Sequence, residues 1–205
     1  MKPFLTIVVM LSLALGASLG WATEDDIEAS YRRGLELLKP YLVLTDRPAV
    51  STASPRARSE VTEAISLLTK VVRAQPQHWP SYWFIGKGQQ ALKDHQAAYA
   101  AFRRSYDLQP GNPDVGRELV IEAICTDKSQ EAVDVAKLIS ASRPTDAGLA
   151  ANVGLALLAN GKEDEARVSI EHALQMAPSD GVTQALLAEA KAVQQGKARS
   201  NYCPP

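Results

Sequence analysis

Residues 147–178 read AGLAANVGLALLANGKEDEARVSIEHALQMAP. Ala150, Val153, Gly154 and Leu157 fall at i, i+3, i+4 and i+7, the spacing that gathers small and apolar side chains on one face of a helix. Asn160-Gly161 then breaks the pattern with turn residues. Ala166, Ile170 and Ala173 build a second apolar face, and Pro178 stops that helix because its ring excludes the next helical hydrogen bond. The stretch is a pair of helices whose small residues permit close approach.

The same unit recurs on both sides. Prolines stand at Pro76, Pro110, Pro144 and Pro178, each 34 residues after the last, and Ala64, Ala98, Ala132 and Ala166 keep the same period. In the unit before Pro110, Tyr82, Ile85, Gly86 and Gln89 are expected to face inward, followed by Ala98, Phe102 and Ser105. The unit before Pro144 is looser, with Gly116, Leu119, Val120 and Ala123, then Ala132, Ala136 and Ile139. Period, small residues and closing prolines together resemble the tetratricopeptide-repeat family over about residues 27 to 195. The Trp frequent in that family's first helix stands here as Tyr82 and is lost in the other units.

The resemblance implies an all-α, right-handed α-solenoid of about four helix-turn-helix repeats and a C-terminal capping helix. The repeats are placed at about 27–76, 79–110, 113–144 and 147–178, the cap at about 181–195, and a tail at 197–205. The first repeat is irregular. Gly86 to Ala98 and Gly154 to Ala166 span 12 residues, whereas Gly34 to Ala64 spans 30, so 18 residues are inserted near 43–57. With Pro48, Pro55 and several Ser and Thr, the insertion reads partly as loop, and Ser54-Pro55 reads as the start of an early second helix. It is either a plain flexible insertion or a partner-contacting loop.

Stacked first helices of this family line a concave groove, so the resemblance places Tyr31, Leu35, Leu38, Trp83, Lys87, Gln90, Arg117, Ile121, Ile124, Ala151, Asn152, Leu155 and Leu158 there. Such a surface is apolar and aromatic with a few cations, and suits an extended peptide or a helix of a protein partner. Trp83 is the expected anchor, since Trp and Arg dominate binding hot spots. Trp79 and Phe84 are expected to fill the junction between the first two units.

The first 22 residues run from Lys2 through an apolar stretch to small residues at Gly20 and Ala22, the order of a secretory signal peptide cleaved after Ala22. An uncleaved membrane anchor is the alternative. Export to a periplasmic or extracellular space favours disulfides, and there are two cysteines, Cys125 and Cys203. Seven residues after Gly196 reach up to about 25 Å when extended, enough to cross two helix spacings of about 20 Å in total. A bridge pinning the tail across the groove is therefore feasible, and two unpaired thiols are the alternative.

A net charge of −1 leaves no cationic excess for nucleic acid or anionic lipid. His78, His95 and His172 lack neighbours at ligand spacing, so no metal or cofactor is expected. Gly86-Lys87-Gly88 lies within a helix and lacks the remainder of a phosphate loop. No nucleophile and base can be paired, which argues against an enzyme. The reading is a non-enzymatic, protein- or peptide-binding adaptor of the cell envelope; the alternative is an assembly subunit that acts through its ends, its insertion or its outer face.

Overall fold

The 34-residue proline period translates directly into helix ends. In the computed structural model, which describes residues 23–42, 51–198 and 200–203, the residues preceding the four prolines (Gln75, Gln109, Arg143 and Ala177) have φ of −126 to −136° and ψ of 62 to 78°. Each has been pushed out of the helical region by the proline ring that follows. The expected signal segment, part of the insertion and residues 199, 204 and 205 of the tail lie outside the described residues.

Nine α-helices and no strands are present among the described residues: α1 Glu24–Leu38, α2 Pro55–Ala74, α3 Trp79–Ala91, α4 His95–Leu108, α5 Pro113–Cys125, α6 Ser129–Ser142, α7 Ala147–Ala159, α8 Glu163–Met176 and α9 Gly181–Gln194. They form four antiparallel pairs and a closing helix. Short polar side chains start most of them. The oxygens of Thr23, Ser54, Asp94, Asn112, Asp146 and Asp180 accept from free backbone N–H groups of the first turn. In the irregular first pair, α2 is 20 residues long against 14 for the other second helices. The extra length uses part of the insertion, and Thr52 ties its end down by donating to the Ala91 carbonyl at 2.5 Å.

The turns inside the pairs are also periodic. Lys93, Asp127 and Gly161, spaced by 34, have φ of 62, 59 and 74°. At each, the N–H of the left-handed residue and the N–H that follows it reach back to the helix, as in Lys93 to Gln90, Asp94 to Gln89, Gly161 to Leu158 and Lys162 to Leu157. This pair of hydrogen bonds satisfies the last carbonyls of the first helix. Only the fourth pair carries the glycine this conformation favours. Lys93→Gly is therefore expected to raise stability by about 0.5–1 kcal/mol, read as a higher midpoint in urea with an unchanged slope.

Within each pair, the two helices meet where there is no side chain. A Cβ at Gly86 would lie 2.6 Å from the Phe102 ring, and one at Gly154 would lie 2.3 Å from Ile170. The inward residues expected for the third and fourth pairs are buried. In α3 the expectation needs correcting: Tyr82, Ile85 and Gln89 are only partly buried, and the buried positions are Ser81, Gly86 and Gly88. Ile65 of α2 presses on Gly88 while Phe102 of α4 presses on Gly86. The helix is thereby gripped between α2 and α4 through glycines on opposite faces, and the larger residues are only partly buried.

One core cluster runs from Ala98 through Phe102, Leu119, Ile139, Leu157 and Ile170 to Ala190. A second, smaller one joins α1 and α2 through Leu38, Val61, Ala64 and Leu68. First helices touch one another across the stack, α1 with α3, α5 with α7 and α7 with α9. The stack therefore curves towards the first helices.

Candidate functional site: the concave face and its strap

Along the concave side the expected groove residues separate into three groups. At the N-terminal end is an aromatic cluster. Tyr31 meets His78 edge-on at 4.9 Å and Phe84 at 6.4 Å, and Phe84 meets Trp83 edge-on at 4.9 Å. Leu35 packs beside them onto the smaller core cluster. Phe84 and Trp79 pack onto the smaller and the larger cluster respectively, at the junction expected for them.

The middle of the face is not the apolar surface anticipated. Lys87 lies 5.8 Å from the Trp83 ring centroid, within cation–π range, and its ammonium pairs with Glu118 at 3.1 Å. Gln90 donates to Glu118 at 3.1 Å and to Glu122 at 2.9 Å. Glu122, 1% exposed, also faces His95 Nδ1 at 2.9 Å. One cation and one neutral amide donor of α3 are thus matched by two carboxylates of α5, one helical turn apart. The sequence reading missed Glu118 and Glu122; their i, i+4 spacing, set about one repeat beyond Lys87 and Gln90, was the available signal.

Leu38 and Leu158, expected in the groove, are fully buried instead. Leu38 fills the slot left by Gly88, whose added Cβ would be 3.5 Å from it, and Leu158 belongs to the larger core cluster. Ile121, Ile124, Ala151 and Leu155 remain partly exposed. Arg117 reaches Asp146 at 3.4 Å.

Three donors on this face have no acceptor. The side-chain nitrogens Trp83 Nε1, Arg117 Nε and Asn152 Nδ2 are shielded from water and make no hydrogen bond. Burying such a group unpaired costs about 1–3 kcal/mol. They sit on three successive first helices, 34 and 35 residues apart, so the unsatisfied N–H groups follow the repeat.

The C-terminal end of the face carries a strap formed by the chain itself. After α9 the chain turns at Gly196 (φ 94°) and doubles back. Glu189 gathers it by accepting from Ser200 Oγ at 2.6 Å and from Lys197 at 2.9 Å. The Ser200 hydroxyl first, then the Lys197 ammonium, hold this carboxyl below the usual carboxylate range. Tyr202 borders one cavity with Asn152, Leu155 and Leu186, and another with Ile124 and Ala159. Cys203 then reaches the end of α5, where it forms a disulfide with Cys125 across a sequence separation of 78.

At this point the strap meets the buried polar row. His95 Nε2 lies 3.6 Å from Cys203 Sγ. His95, Cys125 and Cys203 together form a cluster of possible metal donors among the described residues. Sequence spacing separates His95 from both cysteines, so only the stacking of pairs and the return of the tail bring them together.

Residues 147–180 match the family model described as tetratricopeptide repeat. No curated protein matches the chain. Among solved structures, the crystal structure of MamA protein superposes with a TM-score of 0.68 at 16% identity, covering 84% of this chain and 85% of that one. MamA from Desulfovibrio magneticus RS-1 gives 0.68 at 16% identity, covering 83% and 86%. A MamA structure designated AMB-1 gives 0.62 at 20% identity, covering 84% and 91%. The chain therefore has the all-α, tetratricopeptide-type solenoid fold also seen in MamA, with its clearest single repeat at 147–180.

Proposed function

We propose that this protein is an exported, non-catalytic adaptor that holds an extended segment of a protein partner along its concave face. The observation that carries the reading is the row of acceptor-less N–H groups on Trp83, Arg117 and Asn152. A peptide lying across α3, α5 and α7 brings backbone carbonyls that can take up such donors once the neighbouring side chains adjust, and it recovers part of the cost of leaving them unpaired. The Tyr31, Trp83 and Phe84 cluster supplies an apolar anchor site at one end. Lys87, already paired with Glu118, contributes less net charge than the sequence implied.

The test is selection of linear peptides on the purified protein, followed by calorimetry with the selected sequences. Trp83→Ala should weaken binding by about 2 kcal/mol or more, roughly 30-fold, with an unchanged helical circular dichroism spectrum. Unchanged affinity in this variant would remove the concave face as the binding site. Export is supported by the Cys125–Cys203 disulfide, since such bonds persist in oxidising compartments. Fractionation of producing cells should recover the chain outside the cytoplasm.

Assembly through the N-terminal helix pair is a second reading. There α1 and α2 frame a cleft of about 950 Å³ lined by Ile27, Leu67, Arg33, Lys70 and Arg73. Under this reading Leu67→Glu, and not Trp83→Ala, abolishes complex formation.

A further inference from the structure

We infer that His95, Cys125 and Cys203 form a zinc-binding site in the dithiol state of this protein, so that a metal ion replaces the disulfide as the latch holding the strap. Their donor atoms lie within 4.8 Å of one another. Zinc bound tetrahedrally by thiolate and imidazole, with bonds of about 2.3 and 2.0 Å, places sulfur and nitrogen about 3.6 Å apart and two sulfurs about 3.8 Å apart. Cys203 Sγ and His95 Nε2 already stand 3.6 Å apart. The same sulfur is 3.9 Å from Nδ1 and so lies beside the ring; closing a zinc site requires the two sulfurs to separate once their bond is broken and Cys203 to swing towards the Nε2 lone pair, a shift its strap permits.

The surroundings of His95 are those of a metal ligand. Nδ1 faces the Glu122 carboxylate at 2.9 Å. That carboxylate is fixed in turn by Gln90 at 2.9 Å and is 1% exposed. A carboxylate on one ring nitrogen holds the proton there and leaves Nε2 as the lone-pair donor, the arrangement that orients histidine on zinc. His95 begins α4 and Cys125 ends α5, so two donors are set by packed helices. The third, Cys203, arrives on a non-helical strap that can shift to complete the site.

The chemistry balances without any further component except a reductant. A dithiol gives two electrons and two protons to the Cys125–Cys203 bond and itself closes to a disulfide, leaving two thiols. Zn²⁺ then displaces both thiol protons to solvent. Two thiolates, one neutral imidazole and one dication sum to zero charge, which suits a partly buried position. The fourth coordination position is left for water or an added ligand.

The test uses the full chain, with Zn²⁺ as probe and a chromogenic chelator as competitor. Protein reduced with a phosphine under anaerobic conditions should bind one equivalent of Zn²⁺, and the same protein oxidised should bind none at this site. His95→Ala and Cys203→Ser should each weaken binding at least about 10-fold, and Glu122→Gln about 10-fold. Co²⁺ in place of zinc should give thiolate-to-cobalt charge-transfer bands and the intense visible bands of tetrahedral coordination. Equal affinity of the reduced wild type and His95→Ala would overturn the proposal, as would an octahedral cobalt spectrum. The comparison of reduced with oxidised wild type involves no substitution, so it stands even if a variant folds poorly.

Discussion

Replacing Cys203 by serine is expected to lower stability by about 4 kcal/mol, because the bridge it removes closes a long loop. With 78 residues of sequence separation, the loss of chain entropy in the unfolded state is worth about 4–5 kcal/mol on the polymer estimate. The hydrogen bonds that Glu189 makes to the strap are surface contacts and recover little of this. For a chain of this size the midpoint of thermal unfolding should fall by about 10 °C. The same fall is expected when the wild type is unfolded in the presence of reductant and chelator. If Cys203→Ser and wild type melt together under oxidising conditions, the bridge contributes nothing to the fold. The strap's release should also uncover the cavity between α7 and α9, so the variant should bind an apolar dye more strongly than the wild type does.

Phe102→Ala is expected to cost about 3–5 kcal/mol, the loss of a fully buried aromatic ring plus the cavity it leaves. The ring is packed against the bare backbone of Gly86, where an added Cβ would sit 2.6 Å from it. Gly86→Ala alone should therefore also destabilise, by about 1–3 kcal/mol, despite the better helix propensity of alanine. In the double variant the alanine at 86 occupies space vacated by the ring, and the combined loss should fall short of the sum by about 1 kcal/mol. Strict additivity in urea unfolding would show that α3 and α4 do not depend on this contact for their close approach.

How far the sequence carried the reading depended on whether a feature is local or repeated. The prolines at 76, 110, 144 and 178 report on helix ends because a proline acts on the residue just before it, and those four residues are indeed out of the helical region. Gly154 and Ile170 were legible as facing residues since the period repeats. Tyr82 was not: the close contacts of α3 fall at Gly86, against Phe102, and at Gly88, against Ile65, and Tyr82 stays only partly buried. The left-handed turns at Lys93 and Asp127 carried no glycine signal, and only the spacing from Gly161 reveals them.

The candidate site was legible as a face and not as a chemistry. The family resemblance implied a groove position for Trp83, Arg117 and Asn152, whereas their lack of acceptors is a property of what surrounds them. Glu122 drew no reading from the sequence, and it is nearly inaccessible, bonded to Gln90 and His95 from the preceding pair. Contacts such as these join residues about one repeat apart. The meeting of His95 with Cys203 spans 108 positions and arises from the stack and the returning tail together, neither of which a local pattern can show.

The claim that the concave face binds the partner is tested most directly by placing a photo-crosslinking amino acid at single positions in producing cells. Ile121 lies among the partly exposed residues of the concave face on α5, and Val168 on α8 is 59% exposed. Partner adducts at 121 and none at 168 are the expected result, and adducts at 168 with none at 121 would contradict groove binding.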